Sequence, residues 1–79
     1  MDDKCTLNKL PINKTAVINS VKCDGTLKSR IMDFGFIEEA IVTPLFTSPF
    51  GDPTAFLIKN AIIALRYKDT KNIIVTPIN

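Results

Sequence analysis

Few side chains in this sequence are suited to chemistry, and their spacing narrows what they can do. The chain has no histidine and two cysteines, Cys5 and Cys23. Histidine is the usual general acid–base near neutral pH and the commonest metal ligand, so both roles would fall to weaker groups. Cys5 and Cys23 stand eighteen positions apart, with no second pair to complete a tetrahedral zinc site. They can form one disulfide, supply two thiolates to a metal, or stay reduced. A complete ligand set would require Asp2, Asp3 or a second chain, which argues against a metal centre within one monomer. As a nucleophile, Cys5 has no imidazole to activate it.

The carboxylates offer little more. Glu38 and Glu39 are adjacent, so in a strand or loop they diverge and cannot act as a catalytic pair. Asp52, between Gly51 and Pro53, reads either as a general base or metal ligand, or as the acceptor of an Asx-turn. The turn is the better reading of a residue so placed. Glycines occur only at 25, 35 and 51, and no G-x-x-x-x-G-K-[ST], G-x-G-x-x-G or C-x-x-C pattern is present. No catalytic constellation and no bound cofactor is expected. The chain reads as a binding protein.

The residue that stands out for binding is Phe50, at the apex of the turn Pro49-Phe50-Gly51-Asp52-Pro53. Such an aromatic either folds back as a lid on the core or projects to meet a partner. The two prolines restrict the backbone, so a docked loop would lose little further entropy. Nucleic acid is not the expected partner. Ten Lys and Arg against eight Asp and Glu leave a net charge of +2, spread from Lys4 to Lys71 without a basic stripe. Lys22, Lys28 and Arg30 read as a solvated helix face.

These residues require a scaffold, and 79 residues provide one domain, spanning 1–79, with a modest core. Apolar residues make up 46% of the chain, which argues for a folded state. The longest aliphatic run, 61–65, is far below the ~20 residues of a membrane span. No signal-like segment precedes Cys5, so a reducing, cytoplasmic setting fits. The stretch 15–21 is rich in β-branched residues and reads as a strand, after a turn in which Asn13 tolerates positive φ. Leu27, Ile31 and Phe34 recur at helical spacing, with Thr26 or Asp24 as N-cap and Gly35 just past the end. This predicts one short helix over about 26–34. Strands follow at 41–48, with Pro44 marking an edge or bulge, at 54–59, at 61–66 across a tight Lys59-Asn60 hairpin, and at 72–76. Residues 67–71 read as a polar crossover with one turn of 3₁₀ helix. The expected core is Val17, Leu27, Ile31, Phe34, Phe56, Ile58, Ile63, Leu65 and Ile74. Five short strands would leave two exposed edges unless the sheet curls. The expected fold is therefore mainly β, a partly closed five-stranded SH3-like barrel with one helix after the first strand; an OB-like barrel is second.

The motif Leu27-x-x-Arg30-Ile31-Met32-Asp33-Phe34-Gly35-Phe36 resembles that of the FeoA family, small accessory proteins of bacterial ferrous iron uptake. Pro49-Phe50-Gly51-Asp52-Pro53 resembles the family's loop between central strands, and Ala64-Leu65-Arg66 before Asn72-Ile73-Ile74-Val75 resembles its closing strands. Leu7-x-x-Leu10 fits the opening. Where the family usually carries glycine, this chain has Asn13, Glu39 and Asn60, and a Pro-Gly pair is replaced by Glu38-Glu39. The resemblance implies an SH3-like domain without enzymatic activity. It also implies action on FeoB, a membrane permease with a GTP-binding domain, from the cytoplasmic side. The same barrel is similar to the C-terminal domain of repressors of the diphtheria toxin repressor type, which implies a second role, as an adaptor for a metal-responsive regulator. In this reading Leu27, Arg30, Ile31, Gly35, Leu65 and Arg66 are structural motif residues, and Pro49, Phe50, Gly51, Asp52 and Pro53 bind the partner.

Overall fold

The computed structural model describes residues 3–78. The chain opens with a two-residue strand, β1 (Cys5–Thr6), and a 3₁₀ turn at Leu7–Lys9. Strand β2 (Ala16–Val21) leads into helix α1 (Gly25–Asp33). Three strands follow, β3 (Ile41–Thr47), β4 (Thr54–Ile58) and β5 (Ala61–Leu65). A one-turn helix, α2 (Tyr67–Thr70), precedes the last strand, β6 (Ile73–Pro77). All pairings are antiparallel, in the order β1-β6-β2-β3-β4-β5.

Two expectations about architecture need correction. The sheet has six strands, not five, and the hydrogen-bonded order is open, with β1 and β5 as its edges. The extra strand is too short to leave a pattern in sequence, so α1 follows the second strand. The crossover is a turn of α-helix. It packs against the 3₁₀ turn at Leu7–Lys9, bringing together segments that follow opposite edges of the sheet.

The punctuation follows from local chemistry. Lys59 and Asn60 both have positive φ, as a two-residue hairpin needs to match the strand twist. Pro44 cannot donate to a ladder, and the β3–β4 register shifts between Pro44 and Phe46. Asn13 has φ 69°. Glu39 has φ 71°, a region costly for a residue with Cβ. It is held there because its N–H donates to the Ile18 carbonyl at 2.8 Å, while the Ile18 N–H donates to the Ala40 carbonyl at 2.9 Å.

Helix α1 starts after Asp24, which has extended φ/ψ but makes no side-chain cap bond. Its end is closed by two bonds. The Gly35 N–H donates to the Met32 carbonyl at 2.9 Å, and the Phe36 N–H donates to the Ile31 carbonyl at 3.4 Å. This is the Schellman arrangement, and Gly35 at φ 107° supplies its left-handed residue. A Cβ at Gly35 would also stand 3.2 Å from the Lys59 side chain, so the helix end lies on the β4–β5 turn.

The core gathers Leu7, Leu10, Ile18, Ile31, Phe36, Val42, Phe56, Ile58, Leu65, Ile73 and Val75. Ile31, Phe56, Ile58 and Leu65 are buried as expected, and Leu27 and Ile63 pack against them half-buried. Three expected members are not core. Phe34 is 42% exposed, because it caps the helix and Phe36, past the turn, takes the interior place. Val17 and Ile74 are only half-buried, since Ala16 and Ile18 in β2 and Ile73 and Val75 in β6 hold the inward parity.

Two stability outcomes are expected from chemical denaturation. Ile31→Ala lowers stability by about 2–5 kcal/mol, the range for truncating a buried aliphatic. Glu39→Gly raises it by up to about 1 kcal/mol, because glycine removes the left-handed penalty at some cost in chain entropy.

Candidate functional site

The loop between β3 and β4 carries the most exposed apolar side chain. Phe50 is 96% exposed. It does not fold back as a lid on the core. The loop beneath it is tied at several points. The Gly51 N–H donates to the Ser48 carbonyl at 2.8 Å, the Ser48 N–H to the Pro53 carbonyl at 3.0 Å, and the Ser48 hydroxyl to the Asp52 carbonyl at 2.6 Å. The Asp52–Pro53 peptide is cis.

The Asp52 carboxylate does not form the expected local Asx-turn. Its Oδ1 accepts from the Tyr67 N–H at 2.8 Å, tying the loop to the start of α2, fifteen residues on. That N–H opens a helix and has no partner within it, so the bond satisfies an otherwise unpaired donor. A cleft of about 360 Å³ lies between the loop, the 3₁₀ turn and α2, with Asn8, Gly51, Asp52 and Tyr67 in its wall.

The motif residues converge elsewhere. Leu27, Arg30 and Ile31 of α1 face Leu65 and Arg66 across a groove of about 380 Å³, completed by Phe34, Ala64, Lys68 and Asp69. Gly35 is not in its wall; it closes the helix that forms one side. Reasoning from sequence assigned these residues to structure and missed the groove. The signal available was the 27, 30, 31, 34 spacing, one helical face carrying both apolar residues and an arginine. Lys28 points into a different depression, with Val21, Met32 and Ile37, so Lys28 and Arg30 do not share a basic face.

Part of the outer sheet face, on β3, β4 and β5, is apolar. Leu57 opposes Thr43 on β3 and Ile62 on β5, and Phe46 opposes Ala55. Phe46, Leu57 and Ile62 are all exposed.

The family model for the FeoA domain matches residues 5–77. The chain belongs to the FeoA family. A search of curated proteins finds no significant match. Among solved structures, the FeoA-like protein of Clostridium acetobutylicum is 23% identical, with a TM-score of 0.90 over 100% of this chain and 92% of that one. FeoA of Stenotrophomonas maltophilia, an SH3 domain protein solved with zinc, is 27% identical. Its TM-score is 0.78, over 89% of this chain and 87% of that one. A manganese-dependent transcriptional repressor is 14% identical, with a TM-score of 0.86 over 99% of this chain but only 44% of its own. The fold is thus the SH3-like fold of FeoA proteins, mainly β.

Among the described residues, no three Cys, Asp or Glu side chains converge, and Cys5 and Cys23 are both free and half-buried. Asp2 lies outside the described residues. Among these residues, no helix is long and apolar enough to cross a membrane.

Two measurements check this geometry. Asp52→Ala is expected to cost about 0.5–1.5 kcal/mol, the net value of an ordinary hydrogen bond, with Asp52→Asn retaining most of it. Elemental analysis of protein purified without added metal is expected to find well below one equivalent of iron or zinc, unchanged when both cysteines are replaced by serine.

Proposed function

We propose that this FeoA-family protein is a non-enzymatic accessory of ferrous iron uptake that binds the cytoplasmic side of a FeoB-type permease and modulates transport. Residues 48–53 form the docking loop, and the observation that carries this reading is Phe50, 96% exposed on a tied loop. A large aromatic held in water contributes nothing to the fold, yet it can bury 150–250 Å² when a partner covers it. Because the Ser48 and Asp52 bonds and the prolines already order the loop, docking incurs little entropy loss. Family membership supplies the link to iron. The Stenotrophomonas relative has likewise been put forward as an activating factor for ferrous iron transport. The protein acts in the cytoplasm, recruited to the membrane by its partner.

The adaptor role beside a repressor of the diphtheria toxin repressor type draws on likeness of fold at 14% identity, which carries no function. The permease is therefore the partner we assign.

The test is Phe50→Ala. Its melting temperature stays close to that of the parent, while affinity for the permease in membranes falls by more than about 1 kcal/mol, as for an interface anchor. Unchanged permease binding, or a loss of several kcal/mol in domain stability, would sink the loop assignment. Failure of the parent protein to be retained by permease-containing membranes would sink the permease reading itself.

A further inference from the structure

The two edges of the sheet are managed differently. Strand β1 is two residues long, a short edge of the kind that resists unwanted pairing. Strand β5 runs a full five residues, Ala61-Ile62-Ile63-Ala64-Leu65, with no charge or proline and an unbroken register to β4. Among the described residues no strand pairs with its far edge.

The groove beside α1 reaches the C-terminal end of β5. Ala64, Leu65 and Arg66 all line it. Ala64 and Leu65 belong to the strand, whose successive side chains point to opposite faces, and Arg66 leads on into α2. Strand β4 occupies the other edge. The opposite wall is the single helical face of Leu27, Arg30, Ile31 and Phe34. Phe34 is exposed and Leu27 half-buried where they border this slot.

Its charge is one-sided. Arg30, Arg66 and Lys68 border it against the single acid Asp69. We propose that this slot captures an extended acidic segment of a partner protein, which adds to β5 as a further strand lying between β5 and α1. Main-chain bonds to the β5 edge would hold the segment. Its apolar side chains would lie on Leu27, Phe34 and Ala64, and its carboxylates would meet Arg30, Arg66 and Lys68. A second copy of this chain fits poorly. Antiparallel self-pairing about Ile63 sets Arg66 opposite Asn60 and brings together two rims that each carry three basic groups against one carboxylate, Asp69. The proposal is independent of what the Phe50 loop binds.

The probe is a blocked peptide alternating glutamate and valine, titrated into isotopically labelled protein. Saturable shifts are expected in backbone amides 27–34 and 61–66, with slowed hydrogen exchange along β5. Arg30→Ala combined with Arg66→Ala, both exposed and outside the core, should weaken binding by about tenfold or more at low salt with little change in melting temperature. N-methylation of the peptide's central valine should weaken it similarly by removing a ladder donor. Three results would each overturn the proposal. They are no saturable shift at millimolar peptide, equal binding of a lysine–valine counterpart, and β5 protection that rises with protein concentration alone, which would assign the edge to a second copy.

Discussion

The turn at Gly35 is the constraint on which most of the molecule depends. A nine-residue helix is not stable alone, so α1 persists only where its apolar stripe is buried. The Gly35 and Phe36 N–H groups close its last carbonyls, and the closure sends Phe36 back into the interior. There Phe36 meets Phe56 of β4 edge-on, with ring centroids 6.1 Å apart and an interplanar angle of 89°. Such a pair contributes about 0.5–1.5 kcal/mol beyond area burial. One glycine therefore ends the helix, places the Phe36–Phe56 contact and presses the helix end against the β4–β5 turn. The groove wall made by Leu27, Arg30, Ile31 and Phe34 is a consequence of where that closure leaves the helix.

How much of this was legible in sequence depended on whether the signal was local. The Lys59-Asn60 hairpin, the Pro44 bulge, the Asn13 turn and the glycine after α1 each rest on the conformational limits of one or two residues, and all appear in the structure. Parity within strands was not local. In residues 15–21 and 72–76 both faces carry β-branched residues, so alternation does not say which set points inward. The larger Val17 looked more core-like than Ala16. The twist and pairing of β2 between β3 and β6 decide otherwise. Phe34 and Phe36 posed the same problem at the helix end, where periodicity favours the first and the turn geometry selects the second.

The candidate sites divide in the same way. The loop was visible because Pro, Gly and Asp punctuate it and an aromatic stands among them. What Asp52 does was not visible, since its partner Tyr67 is fifteen residues away and is a backbone group with no side-chain signature. The groove escaped notice for a related reason. Its two walls, at 27–34 and 64–69, lie thirty or more residues apart in the chain, and what brings them together is topology.

Helix α2 is where the two surfaces meet. Four residues cannot hold a helical turn unaided, and this one is held from outside. Asp52 of the loop satisfies its first N–H, the Thr70 hydroxyl donates to the Tyr67 carbonyl at 3.2 Å, and the Asn72 amide donates to the Lys68 carbonyl at 3.0 Å. The same turn presents Lys68 and Asp69 to the groove. The loop that carries Phe50 and the wall that carries Lys68 thus share one small, externally supported element. Displacing Asp52 would leave the Tyr67 N–H without its acceptor and loosen the turn that places Lys68. In a chain this short, the Phe50 loop and the groove are ordered together because one turn of helix touches both.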